Sequence, residues 1–226
     1  MVGKNLEEVR SRIRRAALAV GRDPVGVRLV CVTKGIPTDK IQEALFCGVA
    51  DLGENRVQEA AEKQPVLGRK PTWHLIGHLQ RNKVKTALEI FDVIHSLDRL
   101  ELAESIQKSA QTMGRGPVRV LVQVNAARAE GRYGVSPEQT ADLVERVKRM
   151  DRLRLEGLMV MAPFAQDPEE ARPVFRSVRE LAASLGLAEL SMGMSNDFEV
   201  AVQEGATMVR VGTAIFGERA QVKGEG

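Results

Sequence analysis

Eight short β-rich runs alternate with amphipathic segments along nearly the whole chain, and that alternation narrows the fold more than any other feature. The runs are VRLVCV (27–32), VADLG (49–53), WHLIG (73–77), DVIHSL (92–97), VRVLVQVN (118–125), LRLEGLMVM (153–161), LSMGM (190–194) and TMVRVG (207–212). Helical segments lie between them, among them 38–47, 98–113, 136–149 and 168–186. Thr38 reads as the N-cap of the first and Gly48 as its C′ residue, while Pro137 suits the first position of the third. Strand–helix alternation calls for parallel strands joined by right-handed crossovers. Eight such units in 226 residues predict a single (β/α)8 TIM barrel, whose usual size is roughly 250 residues. A doubly wound open sheet would carry a Gly-rich turn after its first strand, and VTKGIPTD has no GxGxxG.

An added helix over about 5–20 precedes the barrel, with Asn5 as its cap and Glu8 in its first turn. Nothing in the composition divides the chain, so residues 1–226 read as one domain, with the tail 220–226 expected to be disordered. Hydrophobic residues make up 43% and charged residues 28%, enough for a real core. The net charge of +3 is spread over helical faces. Arg10, Arg12, Arg14 and Arg15 form its densest group and read as a solvated helix face, which argues against a nucleic-acid partner. Cys31 and Cys47 have neither metal-ligand nor redox spacing and read as reduced, buried small hydrophobes. The first residues carry charge throughout and no run approaches a membrane span, so the expected location is cytoplasmic, with no membrane partner.

In a barrel, the C-terminal ends of the strands open onto one face, where sites are built. Read in order, those ends offer Lys34, Glu54 and Asn55, His74 and His78, His95 and Ser96, Asn125, Met161, the run MGMSND, and then Arg210, Gly212 and Thr213. Gly193 with Ser195, and Gly212 with Thr213, put small residues and hydroxyls after strands 7 and 8, where backbone N–H groups can approach a phosphate. Lys34 ends an apolar strand. A lysine poorly solvated at a barrel mouth becomes a nucleophilic amine. An amine facing a phosphate cradle suits a phosphorylated carbonyl compound bound as a Schiff base. A class I sugar-phosphate aldolase and a protein of pyridoxal 5′-phosphate both fit. Arg210 shares the inward side of its strand with Gly212 and needs an acceptor there. A neutral pyridine nitrogen would serve, and so would an interior carboxylate such as Glu54 or Glu156. His74 and His78 straddle a strand end and do not converge on a metal. His95 reads as a buried, hydrogen-bonded core histidine.

The motifs VTKG, LGENRVQE, WHLIGHLQRNK, IHSLD and LSMGMSNDFEVAVQEGATMVRVGTAIFG resemble, in this order, those of the pyridoxal phosphate homeostasis protein family. The resemblance spans roughly residues 5–219. It implies the barrel of the alanine racemase N-terminal domain and pyridoxal 5′-phosphate as cofactor. It implies Lys34 as the residue of the covalent aldimine. Ser195, Gly212 and Thr213 would cradle the phosphate with backbone from Met194, and Arg210 would face the pyridine nitrogen. Asn55 and His74 would line the pocket. One loop departs from the family pattern Glu-x-x-Lys-x-Gly: Arg132 stands where the lysine is usual, and Glu130 is one position closer than usual.

An arginine against the pyridine nitrogen leaves that nitrogen unprotonated, which weakens the cofactor as an electron sink. Transamination and decarboxylation are therefore not expected. Racemisation needs a second base, which in the racemase is a tyrosine from a second domain. The single tyrosine here is Tyr133, expected to pack its own loop. The expectation is a protein that stores, protects and delivers the cofactor by transimination to apoenzymes or free amino acids, with no strong catalysis of its own and acting as a monomer. A PLP-dependent racemase and a Schiff-base aldolase are the alternatives.

Overall fold

The computed structural model describes residues 1–128 and 131–217. Eight parallel strands close into a barrel in sequence order: β1 (Arg28–Val32), β2 (Asp51–Glu54), β3 (Thr72–Leu75), β4 (Val93–Leu97), β5 (Val118–Val124), β6 (Leu153–Val160), β7 (Glu189–Ser191) and β8 (Met208–Val211). The seam joins β1 to β8, with Val30 opposite Arg210. The helices among the described residues are α1 (Val2–Leu18), α2 (Thr38–Phe46), α3 (Val57–Leu67), α4 (Val84–Ile90), α5 (Leu100–Thr112), α6 (Pro137–Lys148), α7 (Arg172–Ser184), α8 (Phe198–Gln203) and α9 (Thr213–Phe216).

The pleat sorts the strand residues into two cores. Val30, Val93, Leu121, Met159 and Met208 fill the barrel interior. Their neighbours Cys31, Ile94, Val120, Leu158 and Val209 point outward into the layer between sheet and helices. Parallel strands covered on both faces read as continuous apolar runs, which is why the sequence marked them. Strand 7 is shorter than its apolar run, ending at Ser191. Gly193 (φ +91°) turns the chain away, and a Cβ there would lie 2.5 Å from the Ala201 Cβ.

Local corrections follow from side-chain partners. Helix α1 begins at Val2, so Asn5 is not its cap; its Nδ2 donates to the Ile215 carbonyl (2.8 Å) and ties α1 to α9. Thr38 is the first residue of α2, and the extended residue before it is Pro37. Ser136 caps α6, accepting from the Gln139 N–H, and Pro137 opens that helix. The N-terminal arginines are not all solvated. Arg10 donates to the Cys47 and Gly48 carbonyls at the end of α2 (both 3.0 Å), where a cation is electrostatically favoured. Arg12 pairs with Glu199 (2.7 Å) and covers the Phe198 ring. Cys31 is fully buried and apolar surroundings push its thiol up to about 12, whereas Cys47 is partly exposed. The tail 220–226 lies outside the described residues, as does Glu130. Among the described residues no helix is long and apolar enough to cross a membrane.

Candidate functional site

Seven of the eight residues expected to bind the cofactor line one cavity of about 260 Å³ at the C-terminal mouth: Lys34, Asn55, Met194, Ser195, Arg210, Gly212 and Thr213. Each comes from a strand end or the loop just beyond it: β1 for Lys34, β2 for Asn55, β7 for Met194 and Ser195, β8 for the rest. Val32, Ile76, Met161 and Phe164 supply apolar wall, and Phe164 stands 79% exposed at the rim. Small apolar cavities with a few convergent polar groups are where proteins hold small ligands.

His74 does not belong to this cavity. Side chains two apart on a strand share a face, and Ile76, two residues nearer the mouth, lines the wall. His74 sits one layer deeper, fully buried, with Nε2 2.8 Å from Asp51 Oδ1 and Nδ1 2.9 Å from His95 Nε2. His78 points elsewhere: its ring stacks on Tyr133 (centroids 3.8 Å apart) and Nδ1 lies 3.4 Å from Asp98. The two histidines therefore do not converge, and no group of three His, Cys, Asp or Glu among the described residues could hold a metal ion. Tyr133 is 55% exposed and is not among the residues lining the cavity. Arg132, also exposed, reaches the Ala162 carbonyl at 3.5 Å.

The turn after β7 is built to present Ser195. Asp197 Oδ1 accepts from the Met194 N–H (2.6 Å), and burial raises the Asp197 carboxyl above its ordinary range. Ser195 Oγ accepts from the N–H groups of Gly212 (3.3 Å) and Ala214 (3.4 Å). A hydroxyl that accepts in this way keeps its own proton to donate. Asn196 donates to the Ala165 carbonyl (2.9 Å), fastening the loop that carries Phe164. On the opposite wall, a Cβ on Gly77 would fall 2.2 Å from the Asn55 carbonyl oxygen, so only glycine allows Asn55 to lie where it does.

Arg210 is 3% exposed. Its Nη1 donates to Ser191 Oγ (2.7 Å) and its Nη2 to the Val160 carbonyl (2.8 Å). Neither Glu54 nor Glu156 is its partner; Glu156 accepts from Arg119 (2.8 Å) and Glu54 from Lys63 (2.7 Å). Desolvation pushes the guanidinium down to about 10, opposed by Asp197, and it remains a cation at neutral pH.

A buried cluster, of which the sequence reading named only Glu54, holds the backbone on both sides of Lys34. Lys63 Nζ on α3 donates to the Thr33 carbonyl (2.6 Å), to Glu54 (2.7 Å) and to Glu59 (2.7 Å). Thr33 Oγ1 donates to Glu54 (2.6 Å), and Glu59 accepts from the Gly35 N–H. The signal for it was present as the i, i+4 pair Glu59–Lys63.

A parallel barrel whose mouth gathers a lysine, a buried arginine, and a serine joined to backbone N–H groups defines a class: barrels equipped to take a small phosphorylated carbonyl ligand. Residues 5–220 match the family described as alanine racemase, N-terminal domain. The chain is 42% identical over 221 residues to the pyridoxal phosphate homeostasis protein of Pseudomonas aeruginosa, covering 96% of each chain. It is also 42% identical over 224 residues to that of Aquifex aeolicus, covering 96% of this chain and 97% of the relative. The structure of PipY from Synechococcus elongatus with PLP bound superposes with a TM-score of 0.84 at 37% identity, covering 96% of this chain and all of that one. The chain belongs to the alanine racemase N-terminal domain family and, within it, to the pyridoxal phosphate homeostasis proteins.

Proposed function

We propose that this protein binds pyridoxal 5′-phosphate at the barrel mouth through a covalent bond to Lys34, and that it stores, protects and delivers the cofactor within the cytoplasm. The observation that carries the reading is one cavity lined by Lys34, Arg210, Ser195, Gly212 and Thr213 together. The donor set fits the group. Ser195, with its hydroxyl proton free to donate and backbone N–H groups beside it, suits a phosphate. Arg210 offers donors and no acceptor, which suits a ring nitrogen with a free lone pair. Asn55 Oδ1, buried without a partner, can accept a hydrogen bond from the ligand. When bound, the cofactor supplies an electrophilic aldehyde and a pyridine ring.

Lys34 would hold that aldehyde carbon, with loss of water, and keep it from stray amines. An incoming primary amine of a free amino acid or an apoenzyme would take the aldehyde carbon over from Lys34, which would recover its own amino group. Because Arg210 stays a cation that donates, it does not protonate the ring nitrogen, and strong carbanion chemistry lacks its driving group. Tyr133, stacked on His78, is not among the residues lining the cavity where a second racemase base would have to act. We further propose that the chain acts as a monomer, tested by its mass in solution.

The purified protein mixed with pyridoxal 5′-phosphate should turn yellow, with a visible band that borohydride bleaches. Trapping of a triose phosphate in its place would favour an aldolase. Robust amino-acid racemisation abolished by Tyr133→Phe would contradict a non-catalytic role.

A further inference from the structure

Behind Arg210 a line of buried side chains crosses the barrel interior and ends at Asp51. Arg210 Nη1 lies 2.7 Å from Ser191 Oγ, and Ser191 Oγ lies 2.8 Å from His95 Nδ1. His95 Nε2 lies 2.9 Å from His74 Nδ1, and His74 Nε2 lies 2.8 Å from Asp51 Oδ1. Ser191, His95 and His74 are fully buried, and Asp51 at the far end is only partly exposed.

The chemistry of the two ends fixes the direction of every bond between. Arg210 can only donate and an ionised Asp51 can only accept. His74, if neutral, must therefore carry its proton on Nε2, toward Asp51, leaving Nδ1 to accept. His95 must then carry its proton on Nε2, toward His74, leaving its Nδ1 to accept from the Ser191 hydroxyl. Ser191 in turn accepts from Arg210. Both rings are kept neutral by burial, which lowers the affinity of each for a second proton, of His95 most strongly. Around His95 the charges act with burial, since Arg210, Arg119 and Arg28 all oppose its cation; around His74 Asp51 favours the cation more than Arg28 and Arg119 oppose it, and desolvation outweighs the Asp51 contribution. Reversing any one bond would place two protons face to face or leave the Ser191 hydroxyl without an acceptor in a dry interior.

We propose that Ser191, His95, His74 and Asp51 form a one-way hydrogen-bond relay of positioning residues that holds Arg210 as a fixed donor toward the cavity, so that the site selects a ligand ring nitrogen in its unprotonated, accepting form. This rests on pyridoxal 5′-phosphate being the ligand and assigns four residues on β2, β3, β4 and β7 to its recognition, none of which lines the cavity.

The test reads histidine ring nitrogens by ¹⁵N NMR in the full chain without ligand, followed by titration with pyridoxal 5′-phosphate. Wild type should show His74 and His95 neutral and protonated on Nε2 at neutral pH. Asp51→Leu should move His95 toward the Nδ1-protonated form and weaken cofactor binding about tenfold. Asp51→Asn, whose amide oxygen still accepts, should restore both. Ser191→Ala, which cuts the link between Arg210 and His95 Nδ1 while keeping both histidines, should weaken binding to a similar extent and serves if Asp51→Leu does not fold. A cationic or Nδ1-protonated His95 in wild type would overturn the relay. So would unchanged affinity in Asp51→Leu, or in Ser191→Ala. Because the tautomers are read without ligand, failure of wild type to bind the cofactor would overturn the ligand reading separately.

Discussion

Lys63 Nζ lies 2.6 Å from the carbonyl oxygen of Thr33, the residue immediately before Lys34. The same ammonium holds Glu54 and Glu59, and Glu59 holds the Gly35 N–H, so one cation on α3 fixes the chain on both sides of Lys34. Lys63→Met would leave the fully buried Glu54 without its cation. Removing one partner of a buried pair costs about 3–5 kcal/mol. Urea unfolding should show a loss of this order, with Glu54→Gln in the same chain recovering much of it. Burial already raises the Glu54 carboxyl above its ordinary range. Without Lys63 it rises further, so the single variant should lose stability as pH rises from the acid side.

Gly193→Ala tests the turn that carries Ser195. The left-handed backbone costs alanine about 1 kcal/mol or more, and the Cβ would press to 2.5 Å from Ala201. A destabilisation of at least about 2 kcal/mol is expected by denaturant unfolding, together with weaker pyridoxal 5′-phosphate binding in a titration.

The buried histidines predict an acid limb of stability. His74 and His95 both bind a proton less readily folded than unfolded, chiefly through desolvation. Their contribution is present in full above the unfolded value of about 6.5. As pH falls below it, the unfolded chain takes up protons that the folded chain refuses, and stability declines by up to about 1.4 kcal/mol per pH unit for each ring. Glu54, with its carboxyl raised, contributes the opposite slope above about 4.5. Unfolding free energies measured across this range should fall on acidification below about 6.5, and His95→Asn should flatten the fall.

The barrel was readable because each buried parallel strand is a nearly unbroken apolar run, and the mouth because Lys34, Ser195 and Arg210 sit at strand ends. Depth along a strand was not readable. His74 and Ile76 share a face, and only the closed barrel reveals that Ile76 reaches the cavity while His74 lies below it. Asn5 looked like a helix cap because its best partner, the Ile215 carbonyl, is far away in sequence. Lys63 was not readable as a site residue, since nothing local marks Glu54 and Thr33 as its partners.

The covalent role of Lys34 is tested most directly by borohydride reduction in the presence of pyridoxal 5′-phosphate, followed by digestion and mass spectrometry. One pyridoxyl phosphate per chain on the peptide containing Lys34, and none in Lys34→Ala of wild-type secondary structure, is the predicted result. A modified peptide that excludes Lys34, or equal labelling of the Lys34→Ala chain, would contradict it.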